Sequence, residues 1–167
     1  MDNRAPTPPM LFPIWVVQYY RGELPWHWAI VLGYSYDERL GCTTGLAYHA
    51  IGNTDTFRYN GGLEPIELER SADYRGYVQI GTLHENDMDR FNKLMEMVPV
   101  HRNQEGWNCQ NWVMSAIRKL QNEGWVEEDV TARWVCDELE DVYHREYQVK
   151  GDVTGPKGLV SFAPPKH

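Results

Sequence analysis

The sequence predicts an α+β domain in which an antiparallel sheet packs on helices. Apolar, β-rich runs fill the first half of the chain, helical periodicity replaces them beyond about residue 85, and no internal repeat occurs. A chain of 167 residues can bury one substantial core but is short for two domains. We therefore expect a flexible arm at 1–13, one domain at 14–150 and an irregular tail at 151–167.

The strand predictions rest on runs rich in Val, Ile, Trp and Tyr. These runs are 14–20, 26–34, 46–52 and 77–83, with a weaker pair at 56–59 and 64–69. The polar stretch 35–45 predicts a hairpin loop between the second and third runs. In the second run, alternation places His27 and Ala29 on the face opposite to Trp28.

Three amphipathic helices follow the strands. The first is predicted at 88–98 with Asn86 as N-cap, the second from Asn108 to Gly124, and the third at 127–147. Each shows apolar residues at three- and four-residue spacing, the pattern of a helix with one buried face. Strands first and helices later are typical of the α+β class rather than of alternating α/β folds.

Composition narrows the classes of partner. A net charge of −8 argues against nucleic acid or an anionic membrane as the main partner, and no run of eighteen apolar residues predicts a membrane anchor. The first ten residues lack the apolar core of a secretory signal. Three cysteines, at 42, 109 and 136, are too few for a disulfide framework and favour a reducing, cytoplasmic setting.

Cys109 is a candidate nucleophile because it directly follows the predicted N-cap Asn108. In the first turn of a helix, unpaired amides and the helix dipole favour negative charge, so we expect a lowered thiol pKa there. The same residue also lies on the apolar stripe with Trp112 and Val113. A buried, inert thiol would occupy the same position, and the sequence leaves both interpretations open.

Two histidines could supply the base that such a thiol needs. His27 and His49 both lie in predicted strands, and a hairpin joining these strands would bring the two rings to one end of the sheet. Each could equally be a hydrogen-bonded core residue. The other four histidines, at 84, 101, 144 and 167, are expected at the surface.

The order of these motifs resembles the circularly permuted papain-like (NlpC-type) superfamily, and most closely the lecithin:retinol acyltransferase-like families. The matching residues are HWAIVLG at 27–33, YHAIG at 48–52 and NCQNWV at 108–113. The resemblance covers roughly residues 14–122. It implies a permuted papain-like fold with Cys109 as nucleophile, His27 as base and His49 as the residue that orients the base. Gln110 and Asn111 depart from the family pattern, which has Glu-His after the cysteine.

The resemblance also implies a reaction and a substrate class. The thiolate would attack an ester or amide carbonyl of a small acyl or amide compound, giving a thioester that water or a second acceptor resolves, without a cofactor. Backbone amides near Cys109 would bind the oxyanion, and the hydroxyl of Tyr20 is an additional candidate donor. Four tryptophans flank these residues and could line an apolar acyl pocket or simply pack in the core: Trp26, Trp28, Trp107 and Trp112.

Three other interpretations compete with this one. A cysteine peptidase or isopeptidase could use the same three residues. Two histidines and a cysteine could bind zinc, although no fourth ligand lies at a short chelating spacing. The third is a non-enzymatic binding domain with a degenerate papain-like fold. The sequence does not fix the substrate, the acceptor or the oligomeric state.

Overall fold

Five strands and three helices follow one another along the chain in this computed structural model, which describes residue 3 and residues 5–147. The strands are β1 (Leu11–Tyr19), β2 (His27–Asp37), β3 (Cys42–Ile51), β4 (Arg58–Glu67) and β5 (Tyr74–His84). The helices are α1 (Met88–Glu96), α2 (Cys109–Asn122) and α3 (Ala132–Glu146). The predicted α+β class is therefore confirmed, and the predicted tail at 151–167 lies outside the described residues.

All five strands belong to one antiparallel sheet with the order β4-β3-β2-β1-β5. The first four strands form a meander in which each strand pairs with the next. The last strand then returns to pair with β1 on its free side. Consequently β1, β2 and β3 are central, while β4 and β5 form the edges.

The two faces of the sheet bury different clusters. Trp28, Ile30 and Leu32 project towards the helices and are fully buried in the main core. Ala29 and Val31 project to the opposite face, where they form a smaller cluster. The predicted alternation in β2 is thus confirmed. A 3₁₀ turn between β4 and β5, Leu68–Arg70, places Leu68 in this second cluster.

The start of α2 is fixed by a reciprocal cap. The Asn108 side chain accepts a hydrogen bond from the Gln110 amide at 2.8 Å, and the Asn111 side chain accepts one from the Asn108 amide at 2.9 Å. This capping box confirms Asn108 as N-cap and makes Cys109 the first helical residue. Beyond the other end, Gly124 adopts φ +79°, as expected for a glycine that ends a helix.

Several strand boundaries differ from the prediction. The expected arm at 1–13 is wrong for its last three residues, because β1 begins at Leu11. Before Ile14, β1 pairs only with β5, so a proline at position 13 is tolerated on an unpaired edge. The expected loop at 35–45 is shorter, since backbone pairing extends the hairpin to Asp37 and Cys42. This places Cys42 at the buried start of β3.

The weaker strand pair also needs correction. The stretches predicted as 56–59 and 64–69 form one strand, β4, followed by the 3₁₀ turn. The strand tolerates Gly61 and Gly62 because its register against β3 shifts between Leu46 and Tyr48, and such irregularities are where glycine occurs in strands.

The first helix begins at Met88 as predicted, but its cap differs, and the third helix starts further along the chain than predicted. Asn86 is not the cap of α1, because it lies inside a short 3₁₀ turn, Glu85–Asp87, and Asp87 takes the cap position. The third helix begins at Ala132 rather than at 127. There the Thr131 side chain accepts a hydrogen bond from the Trp134 amide at 3.1 Å, which satisfies an otherwise unpaired donor.

No helix within residues 5–147 has the length and apolar character needed to cross a bilayer.

A buried glutamine connects three elements. Gln18 in β1 is fully buried, and its Nε2 donates to the carbonyl of Arg75 in β5 and to that of Leu139 in α3, both at 2.9 Å. An amide in an apolar core is stable only when it is hydrogen-bonded, so these contacts fix α3 against the sheet.

Replacing this glutamine should therefore be costly. We expect Gln18→Leu to lower the free energy of unfolding by about 1–3 kcal/mol, because two carbonyls lose a donor. Urea denaturation of the full chain measures the change. Gln79→Leu is the matched control, since Gln79 is exposed on β5 and should change the free energy by less than ~0.5 kcal/mol. Equal effects of the two substitutions would contradict a bridging role for Gln18.

Candidate active site

The two strand histidines meet at the end of the sheet. His27 is the first residue of β2, and recorded pairing between β2 and β3 begins only at Ile30 and Tyr48. Beyond that pair, His27 Nε2 and His49 Nδ1 lie 2.7 Å apart, within hydrogen-bond distance. The predicted meeting of the two rings is therefore confirmed. Both residues alternate with members of the second cluster, so their rings lie on the face opposite to the main core.

Both imidazoles are neutral near pH 7. Burial, followed by the charges of His49 and Arg21, lowers the pKa of His27 to about 3. Burial lowers the pKa of His49 to about 4. A neutral imidazole has one donor and one acceptor nitrogen, so one ring donates to the other across the 2.7 Å contact. Which of the two rings donates this hydrogen bond depends on which nitrogen of each ring carries its proton.

Cys109 lies against the backbone on both sides of His27. Its Sγ is 4.0 Å from the carbonyl oxygen of Trp26, and the amide of Trp28 is close enough to lower the pKa of the thiol. These groups belong to the two peptide units that flank His27. Within residues 5–147, no hydrogen bond joins the sulfur to either imidazole, and none engages Nδ1 of His27. The side chain of Cys109 is only 1% exposed.

The thiol is not activated in this conformation. Burial raises the pKa of Cys109, and this effect outweighs the lowering by the amides of Trp28, Gln110 and Cys109 and by the charge of Arg21. The lowered pKa expected from the helix start is therefore not found, because removing the sulfur from water disfavours the thiolate. A neutral thiol, that of Cys109, thus lies beside the backbone of Trp26–Trp28, which carries the neutral imidazole of His27.

Gln110 holds that backbone segment in place. It is fully buried, and its Nε2 donates to the carbonyl of Trp26 at 2.8 Å. From the sequence, Gln110 was only a departure from the family motif. Its role could have been suspected from a polar residue in the first turn of a helix whose next turn is strongly apolar. The contact joins the start of α2 directly to the residue before His27.

Three pockets open beside these residues in the part of the chain that the structure describes, and one of them adjoins only His49 on the side of β4. The other two bear on the site. The larger, which we call the histidine pocket, has a volume of about 510 Å³ and is lined by residues that include Tyr19, Arg21, His27, His49, Glu67 and Asp73. The smaller, which we call the loop pocket, has a volume of about 280 Å³ and is lined by residues that include Arg21, Asn53, Thr54, Phe57, Trp107 and Asn108. Arg21 lines both, and sequence reasoning missed it because a lone arginine in a loop carries no pattern.

Of the remaining predicted site residues, Tyr20 lines the histidine pocket, whereas the four tryptophans are dispersed. Trp26, Trp28 and Trp112 are fully buried and line neither pocket, whereas Trp107 is half-buried and lines the loop pocket. The expected wall of four tryptophans around one acyl site is therefore not formed, because three of the rings are needed to fill the interior. Tyr20 packs edge-on against Trp26 with ring centroids 5.6 Å apart. Within residues 5–147, its hydroxyl shares no hydrogen bond with Cys109.

The other sulfur and metal candidates add no second centre in the described part of the chain. Cys42 and Cys136 are free and buried. Within residues 5–147, no group of three or more His, Cys, Asp and Glu side chains is arranged to hold a metal ion.

The histidine pair makes the stability of the fold depend on pH. The folded-state pKa values of His27 and His49 are about 3 and 4, whereas an imidazole in the unfolded chain titrates near pH 6.5. Between these pH values the two histidines therefore bind protons in the unfolded chain but not in the folded one. The free energy of unfolding should be highest above pH 6.5 and fall towards pH 4, by at most ~1.4 kcal/mol per pH unit for each histidine. Urea denaturation between pH 4 and pH 7 measures this slope.

The matched variants are His49→Asn and His101→Asn, the second at an exposed position. We expect the slope to decrease in His49→Asn and to stay unchanged in His101→Asn. An unchanged slope in both would show that the pair does not resist protonation.

The part of the chain that contains the candidate site also matches a known protein family. No match was found among curated proteins or among solved structures. A family model described as a family of unknown function (DUF6540) matches residues 14–127, which include β1 from Ile14 onward, all of β2–β5, α1 and α2, and therefore both histidines and Cys109. The chain belongs to the DUF6540 family.

Proposed function

We propose that the protein is a thiol-dependent hydrolase or acyltransferase that acts on an ester or amide carbonyl. One observation carries the proposal: Cys109 Sγ lies beside the two peptide units that flank His27, while Nε2 of that imidazole is engaged by His49 at 2.7 Å. Nδ1 is the nitrogen of the His27 ring that is left to exchange a proton. A nucleophile, a base and a group that orients the base are the three parts that such chemistry needs.

The proposal requires one particular tautomer. Nδ1 of His27 has to be unprotonated to accept the thiol proton, so its Nε2–H donates to Nδ1 of His49. His49 is then a neutral acceptor, consistent with the low pKa of its buried ring. In this arrangement His49 acts through His27 as a positioning residue.

The reaction would proceed in two balanced steps. The thiol proton moves to Nδ1 of His27 as the sulfur attacks the carbonyl carbon. The carbon–oxygen or carbon–nitrogen bond of the substrate then breaks, and the leaving group takes the proton from His27. Water, or an acceptor alcohol or amine, attacks the thioester, loses its proton to the imidazole and releases the acyl product with the thiol restored. The amides of Trp28 and Cys109, which lower the pKa of the thiol, are candidate donors to the developing oxyanion.

Substrate access would require a local movement. The sulfur is 1% exposed, and the Trp26 carbonyl, 4.0 Å from it, lies at the end of the connection between β1 and β2. We propose that substrate displaces the part of this connection before Trp26, which contains Gly22 at φ +63°, while Gln110 retains the Trp26 carbonyl. A closed site would also keep the thiol in its unreactive, neutral form until substrate binds.

The same proposal includes the finer assignments of fold, substrate size and setting. The motif order favours a permuted papain-like fold. Pockets of about 280 and 510 Å³ favour a small acyl or amide compound over an extended peptide or a nucleic acid. Three free thiols are compatible with a reducing, cytoplasmic setting.

Acyl transfer to the sulfur is directly measurable. We expect the full chain to form an acyl adduct on Cys109 when incubated with a panel of short 4-nitrophenyl esters and acyl anilides, read by intact-mass and peptide mass spectrometry. Neutral hydroxylamine should remove the adduct, because it cleaves thioesters. Cys109→Ala should abolish adduct and turnover, and His27→Asn should slow acylation by on the order of 10²–10⁴.

Cys136→Ala is the control, since that thiol is also buried but lies on α3, away from the histidines. It should leave acylation unchanged. Equal turnover in the wild type and Cys109→Ala would rule out the thiol mechanism. A panel of short peptides and isopeptides in the same assay tests the peptidase alternative, and no adduct from any substrate would favour a binding domain.

The role of His49 has its own signature. In His49→Asn, Oδ1 occupies the position of the imidazole Nδ1 and can accept the same hydrogen bond, whereas His49→Ala cannot. We expect His49→Asn to retain most of kcat/KM and His49→Ala to lose at least about tenfold.

Because the pKa of His27 is about 3, kcat/KM of the wild type should stay level down to about pH 5. Loss of activity near pH 6.5 would contradict a neutral, buried base.

A further inference from the structure

The loop pocket has an unusual charge distribution for this protein. Three connections converge on it: the one between β1 and β2, the one between β3 and β4, and the stretch before α2. Its lining combines neutral polar residues such as Asn53 and Thr54 with the aromatic rings of Phe57 and Trp107. Arg21 is the one charged residue in this lining, in a chain whose net charge is −8. A cation therefore faces a pocket that contains no acidic side chain.

Arg21 also lacks a partner within residues 5–147. The side chain is half-buried, and no hydrogen bond or ion pair to it occurs in this part of the chain. Arg75, another half-buried arginine, illustrates the contrast, since it donates to the carbonyl of Ala72 at 2.8 Å. Guanidinium groups removed from water are normally satisfied by carboxylates, phosphates or carbonyls. An unpaired guanidinium at a pocket wall is thus available to a ligand.

The position of Arg21 connects the loop pocket to the candidate active site. For both His27 and Cys109 burial has the largest effect on the pKa, and the charge of Arg21 lowers the pKa of each in addition. Such an effect weakens with distance, so the guanidinium is near both groups. Asn108, which also lines the loop pocket, is bonded in sequence to Cys109. A ligand in this pocket would lie beside the residue that precedes Cys109.

The histidine pocket is a poorer place for an anion. Arg21 contributes to its wall as well, but so do Glu67 and Asp73, whose carboxylates would repel a negative group. The lining of the loop pocket contains Arg21 but no Asp or Glu side chain. Its volume of about 280 Å³ suits a short chain or a single ring rather than a long acyl tail.

We propose that the loop pocket binds the oxyanion, carboxylate or phosphate, of a small organic ligand through Arg21, and that substrates of the candidate active site carry such a group. Only the second part rests on the proposed function. The guanidinium offers a planar pair of N–H donors, which matches carboxylate and phosphate oxygens in a two-point contact. The neutral amide and hydroxyl groups of Asn53 and Thr54 would add further donors without charge.

Binding is tested separately from catalysis in full-length Cys109→Ala. We would titrate it with pentanoate, butyl phosphate and the neutral pentanamide, following backbone amides by ¹⁵N NMR and reading Gly52 and Gly106 in the pocket wall. At least one anion should bind about tenfold or more tightly than pentanamide, and which one does so distinguishes carboxylate from phosphate. Arg21→Gln should remove this preference. Arg39→Gln, on the exposed turn between β2 and β3, loses the same charge and should keep it.

The substrate arm uses wild-type protein with matched esters. We expect kcat/KM to be at least tenfold higher for mono-4-nitrophenyl adipate or for 3-(hexanoyloxy)benzoate than for their neutral counterparts, 4-nitrophenyl hexanoate and phenyl hexanoate. Arg21→Gln should erase the difference, while Arg21→Lys should retain part of it. No preference for either anionic ester would overturn the substrate part of the inference.

The two proposals fail in different ways. Equal binding of pentanamide and both anions, or anion binding unchanged by Arg21→Gln, would overturn the anion site even if Cys109 is acylated. Binding of an anion that depends on Arg21, together with no acylation of Cys109 by any ester, would support the anion site and exclude the proposed reaction.

Discussion

The contact between the first turn of α2 and the segment Trp26–Trp28 is the interaction on which the candidate site depends. The Asn108–Asn111 capping box fixes where the helix starts. From that start, Gln110 binds the Trp26 carbonyl at 2.8 Å, and Cys109 lies beside the same peptide. Because α2 is otherwise held by its apolar stripe in the main core, packing energy far from the site sets the position of the sulfur.

Burial is the dominant electrostatic influence at this site. It lowers the pKa of both imidazoles and raises that of the thiol, so all three groups are neutral at physiological pH. A resting thiolate–imidazolium pair would require charge in a region that excludes water, which is costly. In the proposed reaction, proton transfer would therefore be triggered only when a substrate carbonyl arrives. The charge of Arg21 favours the thiolate form of Cys109.

The sheet separates the parts of the site. The histidine rings lie on the face of the smaller cluster, whereas the sulfur approaches β2 from the helix side. In the proposed reaction they would meet at the end of the sheet, where β2 begins at His27. The two pockets reflect the same division, one beside the rings and one beside the helix start, with Arg21 shared between them.

The sequence alone determined the features that depend on local patterns. Alternation in β2, the cap at Asn108, the glycine after α2 and the class of fold follow from side-chain periodicity and backbone preferences, which act over a few residues. The meeting of His27 and His49 also follows, because a hairpin aligns neighbouring strands. Boundaries such as Leu11 and Ala132 were missed, since pairing with β5 and the Thr131 cap extended or shortened what propensity suggested.

Only the tertiary structure decided the chemical state of the site. The depth at which Cys109 is buried, the neutrality of the imidazoles and the inward position of three tryptophans depend on how the helices cover the sheet, and no local pattern encodes that coverage. The pairing of Gln110 with the Trp26 carbonyl joins residues 84 positions apart, and the place of Arg21 between two pockets depends on three separate connections. Such long-range arrangements arise from packing, which sums over the whole domain and cannot be read from any short stretch.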